Sequence, residues 1–274
     1  MINNFFSIIR LKNVAISIIC IFITLLKFNE SIFQIESIII SSIILLLFMS
    51  SNIINDIFDM NTDGVNRPKR VLVQYPDLLN FFSNIAGSMM VLAFILSFFL
   101  NIHSVLIILI SCPFLIVYSK IFKNIPIIGN MLVSFFLALI FIFVAIASEN
   151  SIINILPEAF IVFTISLIRE IVKDVEDYPG DKKYNINTTA VFFGIRKTIF
   201  ISCFLILVFC IQCAYFINYD LLKYYTLSLI FLIFLPLFYL LYFLINNPSV
   251  TSCSEGAGLL KKVIVLGLLI IYIM

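Results

Sequence analysis

The residues best suited to chemistry stand where a long apolar run of the chain ends. Asn55, Asp59 and Asp63 follow one another at intervals of four residues. On a helix, that spacing puts three oxygen ligands in one row. Asp56 adds a carboxylate within the same stretch, and Asn52 lies one turn earlier. An ionised Asp inside a membrane helix costs about 2.5–3.5 kcal/mol, so the cluster favours a functional role over solvated loop charges.

A second acidic cluster follows another apolar run. Asp177 and Asp181 repeat the four-residue interval, and Asp174 lies one turn earlier. Proline lacks a backbone N–H and clashes with the preceding turn of a helix. We therefore expect 179–180, which reads Pro-Gly, to break or re-aim the helix between Asp177 and Asp181. Their convergence is then expected to depend on a turn rather than on a helical face.

The ligand types in the two clusters predict a magnesium site. Hard oxygen ligands without a suitable Cys or His favour Mg²⁺ over zinc or copper, and Mg²⁺ is usually held by few carboxylates together with water and phosphate oxygens. Cationic side chains that could hold an anion beside the metal accompany both clusters: Arg67, Lys69, Arg70, Lys123, Arg169 and Lys173. A diphosphate bridged by Mg²⁺ between the clusters accounts for both signs of charge. The abundance of Phe (30) and Tyr (11) indicates that the organic part of the ligand is a lipid chain.

Composition predicts the elements that must position these residues. Of 274 residues, 62% are hydrophobic and 12% are charged, whereas soluble domains average about 45–50% and about 25%. The predicted fold class is therefore all-α, a polytopic membrane helix bundle that forms a single domain over 1–274. Apolar runs of near-membrane length predict nine transmembrane helices, at about 13–29, 37–58, 78–99, 103–118, 127–148, 155–174, 197–218, 222–246 and 257–274.

The charges predict how these spans are oriented. Fifteen of the 17 Lys and Arg residues lie on the side of the membrane that holds the N-terminus, and only Lys27 and Lys223 lie on the opposite side. The positive-inside rule then places the N-terminus, the connections 2–3, 4–5, 6–7 and 8–9, and both acidic clusters in the cytoplasm. Only twelve residues follow Lys262, so Lys261 and Lys262 must snorkel if the last span crosses fully. The net charge of +2 is too small to indicate nucleic-acid binding.

The two clusters resemble the aspartate-rich motifs of the UbiA-type intramembrane prenyltransferases. Residues 55–68, which read Asn-Asp-x-x-Asp-x-x-x-Asp-x-x-Asn-Arg-Pro, are similar to the first motif of that family, and 177–181 are similar to the second. Within the family, the lead-in 169–174 and the connection 118–130 look like those of digeranylgeranylglyceryl phosphate synthases, known from archaeal lipid synthesis and with bacterial relatives. Two departures are residues 69–71, which read Lys-Arg-Val where those enzymes often have Arg-Pro-Leu, and Asn185, which stands where they often have Gly.

The resemblance implies an activity: Mg²⁺-dependent transfer of a prenyl group, expected to be geranylgeranyl, from a prenyl diphosphate to a membrane acceptor, expected to be geranylgeranylglyceryl phosphate. It implies that the catalytic residues holding Mg²⁺ are Asn55, Asp59, Asp177 and Asp181. Asp56, Asp63 and Asp174 are expected to be additional metal ligands or to lie just behind the ligands. The expected substrate contacts are Asn52, Arg67, Tyr118, Lys120, Lys123, Arg169, Lys173 and Tyr178. The protein is expected to be a multi-pass enzyme of a bacterial or archaeal cell membrane, with a lipid-soluble or amphiphilic acceptor.

Two alternatives remain open from the sequence. The acceptor could be an aromatic ring, as in ubiquinone or menaquinone synthesis, because such enzymes share the aspartates. The chain could also be a transporter whose intramembrane carboxylates bind coupling ions. Transporters place their ion sites near the bilayer midplane, whereas these carboxylates lie at span ends on one side, which favours the enzyme.

Overall fold

The computed structural model describes residues 2–215 and 228–273, and these ranges are helical and contain no β-strand. The predicted all-α fold class is confirmed. The α-helices of these ranges are, in chain order, Ile2–Ile8 (α1), Leu11–Lys27 (α2), Ile35–Phe58 (α3), Met60–Asn66 (α4), Val71–Gln74 (α5), Leu79–Ser97 (α6), Ile102–Lys120 (α7), Ile128–Ala147 (α8), Leu156–Lys183 (α9), Thr189–Phe193 (α10), Ile195–Tyr215 (α11), Leu235–Asn246 (α12) and Val250–Ile273 (α13). A π-helical turn, Ile230–Phe234, leads directly into α12.

Long helices stand at each of the nine predicted spans: α2, α3, α6, α7, α8, α9, α11, α12 with its π-helical turn, and α13. Residues 216–227, which include the end of the seventh predicted span and the start of the eighth, lie outside the described residues. Within residues 2–215 and 228–273, five helices are long and apolar enough to cross a bilayer by length and composition: Ile35–Phe58, Pro76–Ser97, Ile102–Lys120, Ile128–Ala147 and Ile195–Tyr215. Two shorter apolar helices are Asn13–Lys27 and Ile230–Asn246. The chain is an integral membrane protein.

The last helix is longer than its predicted span of 257–274. Helix α13 begins at Val250, so Lys261 and Lys262 lie in its middle and not before a short final segment. Ser249 and Ser252 cap its start reciprocally: the Ser249 N–H donates to Ser252 Oγ at 3.1 Å, and the Ser252 N–H donates to Ser249 Oγ at 3.2 Å. This is the capping-box arrangement. The sequence signal was present in these two serines, three residues apart after Pro248.

Contacts between residues divide the chain into two compact units, and the first contains residues 1–123 and 140–155. Helix α3 is central in this unit, since it packs against α6, α2, α7 and α1. An apolar cluster at its C-terminal part includes buried side chains from four elements: Ile8, Ile9, Ile53, Ile54, Val71, Leu72, Phe82, Ala86 and Met90. Burial of apolar surface is favourable by about 25 cal/mol per Å². This cluster therefore stabilises the packing of α1 and α5 against the end of α3, where the first acidic cluster begins.

The second compact unit contains residues 124–139 and 156–274. Helix α9 is central here, since it packs against α13, α11 and α10. Its side chains Ile161, Ile165, Ile168 and Val172 are buried and recur at intervals of three or four residues, which is the period of one helical face. In each unit the central helix therefore carries an acidic cluster toward its C-terminal end. The prediction of a single domain over 1–274 stays a prediction.

Candidate active site

The first acidic cluster lies on an almost uninterrupted helix. Asp59 alone separates α3 from α4, and the helical hydrogen bonds continue through it: the Asp59 N–H donates to the Asn55 carbonyl at 2.9 Å, and the Asp63 N–H donates to the Asp59 carbonyl at 2.8 Å. Asn55, Asp59 and Asp63 therefore lie in one row, as their spacing predicts.

The side-chain oxygens of Asn55 and Asp59 face the end of α7. The Ser119 hydroxyl donates to Asn55 Oδ1 at 2.5 Å, and the Lys123 ammonium forms an ion pair with Asp59. Lys123 stands in the short 3₁₀ turn Phe122–Asn124 that follows α7. The Asp59 side chain keeps 17% of its surface exposed, more than those of Asp56 (1%) and Asp63 (5%). Asp59 is thus the most accessible carboxylate of the first cluster.

Asp56 and Asp63 are buried among arginines. Arg10 pairs with Asp56 Oδ1, while Arg70 Nη1 lies 3.4 Å from Asp56 Oδ2. Arg67 Nη1 lies 3.4 Å from Asp63 Oδ1, and Arg70 Nε lies 4.0 Å from Asp63 Oδ2. Burial, followed by the negative charge of Asp59, raises the pKa of Asp63, against the opposing effect of Arg70 and Arg67. Desolvation is the larger influence, as expected for a carboxyl group withdrawn from water.

The other predicted contacts in this unit differ in their surroundings. The Asn52 amide nitrogen donates to the Ile9 carbonyl at 3.0 Å, so Asn52 fastens the start of the chain to α3. Tyr118 is buried in α7, and Lys120, two residues later, is exposed. Whether Asn52, Tyr118 and Lys120 contact a substrate stays a prediction.

The second acidic cluster lies on one continuous helix, which corrects our expectation of a break at Pro179. Helix α9 runs from Leu156 to Lys183 through Pro179 and Gly180. Asp174, Asp177 and Asp181 therefore share a helical face and do not depend on a turn to converge. Proline costs an interior helix about 3 kcal/mol or more, but α9 packs along its length against α11 and α13. That tertiary burial outweighs the local preference to end the helix.

Two buried polar residues, Asn130 and Thr189, hold the half-buried Asp174 carboxylate. Its Oδ2 accepts hydrogen bonds from Asn130 Nδ2 at 3.0 Å and from the Thr189 N–H at 3.1 Å. The Thr189 hydroxyl donates to Asn130 Oδ1 and accepts from the Ile127 N–H at 2.9 Å. This network joins the start of α8, the motif on α9 and the start of α10 within the second unit.

Asp181 has its own partner from the segment that follows α9. It is 3% exposed, and its Oδ2 accepts a hydrogen bond from the Thr188 hydroxyl at 3.1 Å. Our sequence analysis missed Asn130, Thr188 and Thr189 as site residues. A signal existed in the two adjacent threonines soon after the motif, but hydroxyl pairs are too common to identify a contact without the fold. Asn185, between α9 and these threonines, has φ 54°, a left-handed conformation that Gly and Asn adopt most readily.

The cationic lead-in of the second motif is paired along the helix. Arg169 forms an ion pair with Glu170, and Lys173 Nζ lies 3.6 Å from Glu170 Oε2. Lys182 lies one turn after Tyr178, and its Nζ is 5.3 Å from the centroid of the Tyr178 ring, a cation–π contact. Arg169, Lys173 and Tyr178 all lie within two turns of the second motif, and their contact with substrate stays a prediction.

The oxygen ligands of the two motifs fit Mg²⁺, an ion that proteins usually hold together with substrate phosphates and water. No group of three or more His, Cys, Asp and Glu side chains forms a metal cage among residues 2–215 and 228–273. Mg²⁺ is ordinarily bound through one or two carboxylates, with substrate phosphates and water completing its shell. Asn55 with Asp59, and Asp177 with Asp181, are donor sets of that composition. The assignment of these residues as ligands stays a prediction.

Comparison with known proteins identifies the family of the chain. The UbiA prenyltransferase family matches residues 16–254. The chain is 27% identical, over 95% of its own length and 92% of the relative's, to digeranylgeranylglyceryl phosphate synthase of Saccharolobus solfataricus. It superposes with a TM-score of 0.73 and 28% identity on a solved structure of a digeranylgeranylglyceryl phosphate synthase, covering 99% and 97% of the two chains. A UbiA homologue from Archaeoglobus fulgidus bound to DMAPP and Mg²⁺ shares the fold, with a TM-score of 0.67, 17% identity, and 99% and 100% coverage.

Proposed function

The chain belongs to the UbiA prenyltransferase family, and from this premise we propose that it transfers a geranylgeranyl group from geranylgeranyl diphosphate to geranylgeranylglyceryl phosphate. The acceptor is proposed from relatives that are named for this activity and that match the chain over nearly its whole length. The use of Mg²⁺ with a prenyl diphosphate is supported by the homologue bound to DMAPP and Mg²⁺.

The observation that carries the proposal is the charge balance of the first motif. Three carboxylates, Asp56, Asp59 and Asp63, face four cationic side chains: Arg10, Arg67, Arg70 and Lys123. An acidic motif in a surplus of cations is suited to a metal together with a polyanion, and charge-assisted contacts of this kind are typical of diphosphate sites.

Different residues have different proposed roles in the reaction. Asn55, Asp59, Asp177 and Asp181 would hold Mg²⁺, which supplies neutralisation of the charge that builds on the departing diphosphate. Lys123 pairs with Asp59, and we expect its ammonium group to donate to a phosphate oxygen of the bound diphosphate. The bond between the allylic carbon and the diphosphate oxygen breaks with its electron pair leaving on the diphosphate. The acceptor hydroxyl then forms the new C–O bond, and its proton passes to the released diphosphate.

The reaction also requires that water be kept away from the allylic carbon, because water would capture it as an alcohol. The spans that carry the motifs are apolar in their buried parts, with buried Ile on α3 and buried Ile and Val on α9, and lipid-facing helices of this kind would keep water from the reaction. We further propose that the N-terminus and the motif-bearing ends of the spans lie in the cytoplasm of a bacterial or archaeal cell. The distribution of fifteen cationic residues on that side supports this orientation.

A transfer assay tests the proposed function. Purified protein in detergent, with Mg²⁺ and labelled geranylgeranyl diphosphate, is offered geranylgeranylglyceryl phosphate, 4-hydroxybenzoate or 1,4-dihydroxy-2-naphthoate in separate reactions. We expect label in the glycerophosphate product. Label only in an aromatic product would keep the prenyl chemistry and overturn the proposed acceptor.

Variants of the same assay test the ligand assignment. Asp59→Ala and Asp181→Ala are expected to lose Mg²⁺-dependent transfer while still inserting in membranes and eluting as folded protein. Asp77→Ala is the matched control, because Asp77 is an exposed carboxylate outside both motifs. Retained transfer in either motif variant would remove that residue from the metal site.

A further inference from the structure

Within the first motif, both oxygens of Asp56 are engaged by arginines, and one of these, Arg10, comes from a distant part of the chain, whereas Asp63 pairs with Arg67 one turn along its own helix. Arg10 pairs with Oδ1, and Arg70 Nη1 lies 3.4 Å from Oδ2. Asp56 is only 2% exposed. A Mg²⁺ ion at this carboxylate would have to displace one of two guanidinium groups and sit beside the other, which repels it. Asp59, by contrast, faces a single flexible lysine and is more exposed.

The partner Arg10 comes from the start of the chain, at the joint between α1 and α2. Its backbone is held at φ 58° and ψ 63°, a left-handed conformation that is uncommon for a residue with a side chain. Such a conformation persists where surrounding contacts determine it. Three contacts do so here: the ion pair to Asp56, the hydrogen bond from Asn52 to the Ile9 carbonyl, and the burial of Ile8 and Ile9.

Asp56 therefore joins three parts of the first unit. It lies on α3, Arg10 lies before α2, and Arg70 lies just before α5. Arg70 also reaches Asp63 Oδ2 at 4.0 Å, so the same guanidinium contacts two carboxylates of the motif. Residue 10 lies ahead of the stretch 16–254 that matches the family, so this contact is made by a part of the chain outside the family match.

We propose that Asp56 is not a magnesium ligand but the buried anchor of an arginine clamp, and that Arg10 is a positioning residue for the first motif. The clamp, defined as Arg10, Asp56 and Arg70, fixes the helical row so that Asn55 and Asp59 present their oxygens to the metal and diphosphate. Its effect on catalysis rests on the proposed function. Its effect on the structure does not, since every group in the clamp belongs to this chain.

A double-mutant cycle on the metal-free protein tests the clamp directly. Arg10→Gln, Asp56→Asn and the double variant are purified in detergent with EDTA, and their thermal unfolding is followed. Removing one member of a buried ion pair leaves the other charge buried without its compensation. We expect each single variant to unfold at a lower temperature than the parent, and the double variant to unfold no lower than the less stable single variant. Asp77→Asn, which changes an exposed carboxylate, is expected to unfold like the parent.

Metal binding separates the anchor from a ligand. Mn²⁺ binding, measured by electron paramagnetic resonance as a substitute for Mg²⁺, is expected to weaken at least tenfold in Asp59→Asn and by less than threefold in Asp56→Asn. In transfer assays, Arg10→Gln is expected to lower kcat more than it raises KM for the diphosphate. Arg10→Lys, which keeps the charge, should restore part of that loss.

The outcomes distinguish failure of the clamp from failure of the proposed function. If the single-variant losses in EDTA simply add in the double variant, or if Asp56→Asn weakens Mn²⁺ binding as much as Asp59→Asn does, the clamp is overturned. If a single variant fails to fold while the double variant folds, that result is itself the expected coupling. Absence of transfer by the parent protein to any acceptor would overturn the proposed function and leave the EDTA cycle as a valid test.

Discussion

Lys120 and Lys123 lie three residues apart, and both are predicted substrate contacts, yet the fold gives them different surroundings. Lys120 ends α7 and is exposed, whereas Lys123 pairs with Asp59 of the first motif. A lysine that pairs with Asp59, the carboxylate proposed to hold the metal, would be within reach of a phosphate oxygen bound there. A lysine exposed at the membrane surface suits the ordinary role of a headgroup-level charge.

This difference predicts the effect of neutralising each lysine. Lys123→Gln is expected to lower kcat/KM for the prenyl diphosphate by about 10- to 100-fold, because a hydrogen bond to a charged group contributes about 1.5–3 kcal/mol. Lys120→Gln, the matched control, is expected to change it by less than about threefold, as surface ion contacts contribute about 1 kcal/mol or less. Steady-state transfer kinetics at saturating Mg²⁺ provide the measurement. Equal losses in the two variants would contradict the assignment.

Among the helices, the two motifs occupy similar positions, but the residues that hold their first carboxylates differ. Each lies toward the C-terminal end of the central helix of its unit, α3 with α4 in one and α9 in the other. In each, the first carboxylate is held by the surrounding protein: Asp56 by arginines, and Asp174 by Asn130 and Thr189. The later carboxylates occupy the following turns of the same helical face.

The continuity of α9 through Pro179 makes a prediction about that residue. Alanine can occupy the site without a change of backbone, and it restores the missing N–H to the carbonyl of Val175. Pro179→Ala is therefore expected to raise the unfolding temperature and to keep transfer within about threefold of the parent, since an interior proline costs about 3 kcal/mol. Pro113→Ala is the matched control for transfer, because Pro113 also lies inside a helix, α7, but outside both motifs. By the same argument it is expected to raise the unfolding temperature. Loss of transfer by folded Pro179→Ala would show that the proline shapes the second motif.

At the scale of the whole molecule, the surface agrees with a bilayer environment. Large apolar side chains on the long helices are exposed, among them Phe200, Phe204 and Ile211. In water such surface would be costly, at about 25 cal/mol per Å², whereas lipid chains cover it. The orientation in that bilayer is a proposal that depends on the distribution of charge.

Cysteine labelling measures that orientation. In a variant without the six native cysteines, Lys27→Cys and Lys69→Cys place single thiols at exposed positions on opposite predicted sides. In right-side-out vesicles, a membrane-impermeant maleimide is expected to label the thiol at position 27 and to spare the one at 69 until the membrane is permeabilised. The reverse pattern would invert the proposed topology and place the motifs outside the cytoplasm.

Local patterns along the chain were enough to predict the fold class, the approximate positions of the described spans and the two acidic motifs. These features depend on local patterns: apolar length sets a span, and four-residue spacing sets a helical row. The row Asn55, Asp59 and Asp63 is therefore present in the structure as predicted. The start of α13 at Val250 was also a local feature, signalled by its serine cap, although our span boundary missed it.

The partner of each carboxylate and the continuity of α9 through Pro179 depend on tertiary contacts. Arg10 lies 46 residues from Asp56, and Asn130 lies 44 residues from Asp174, so no spacing rule connects them. The continuity of α9 results from packing against α11 and α13, which outweighs the local cost of proline. Contacts distant in sequence arise from the summed burial of many side chains, and for that reason the anchoring of each motif becomes visible only in the folded chain.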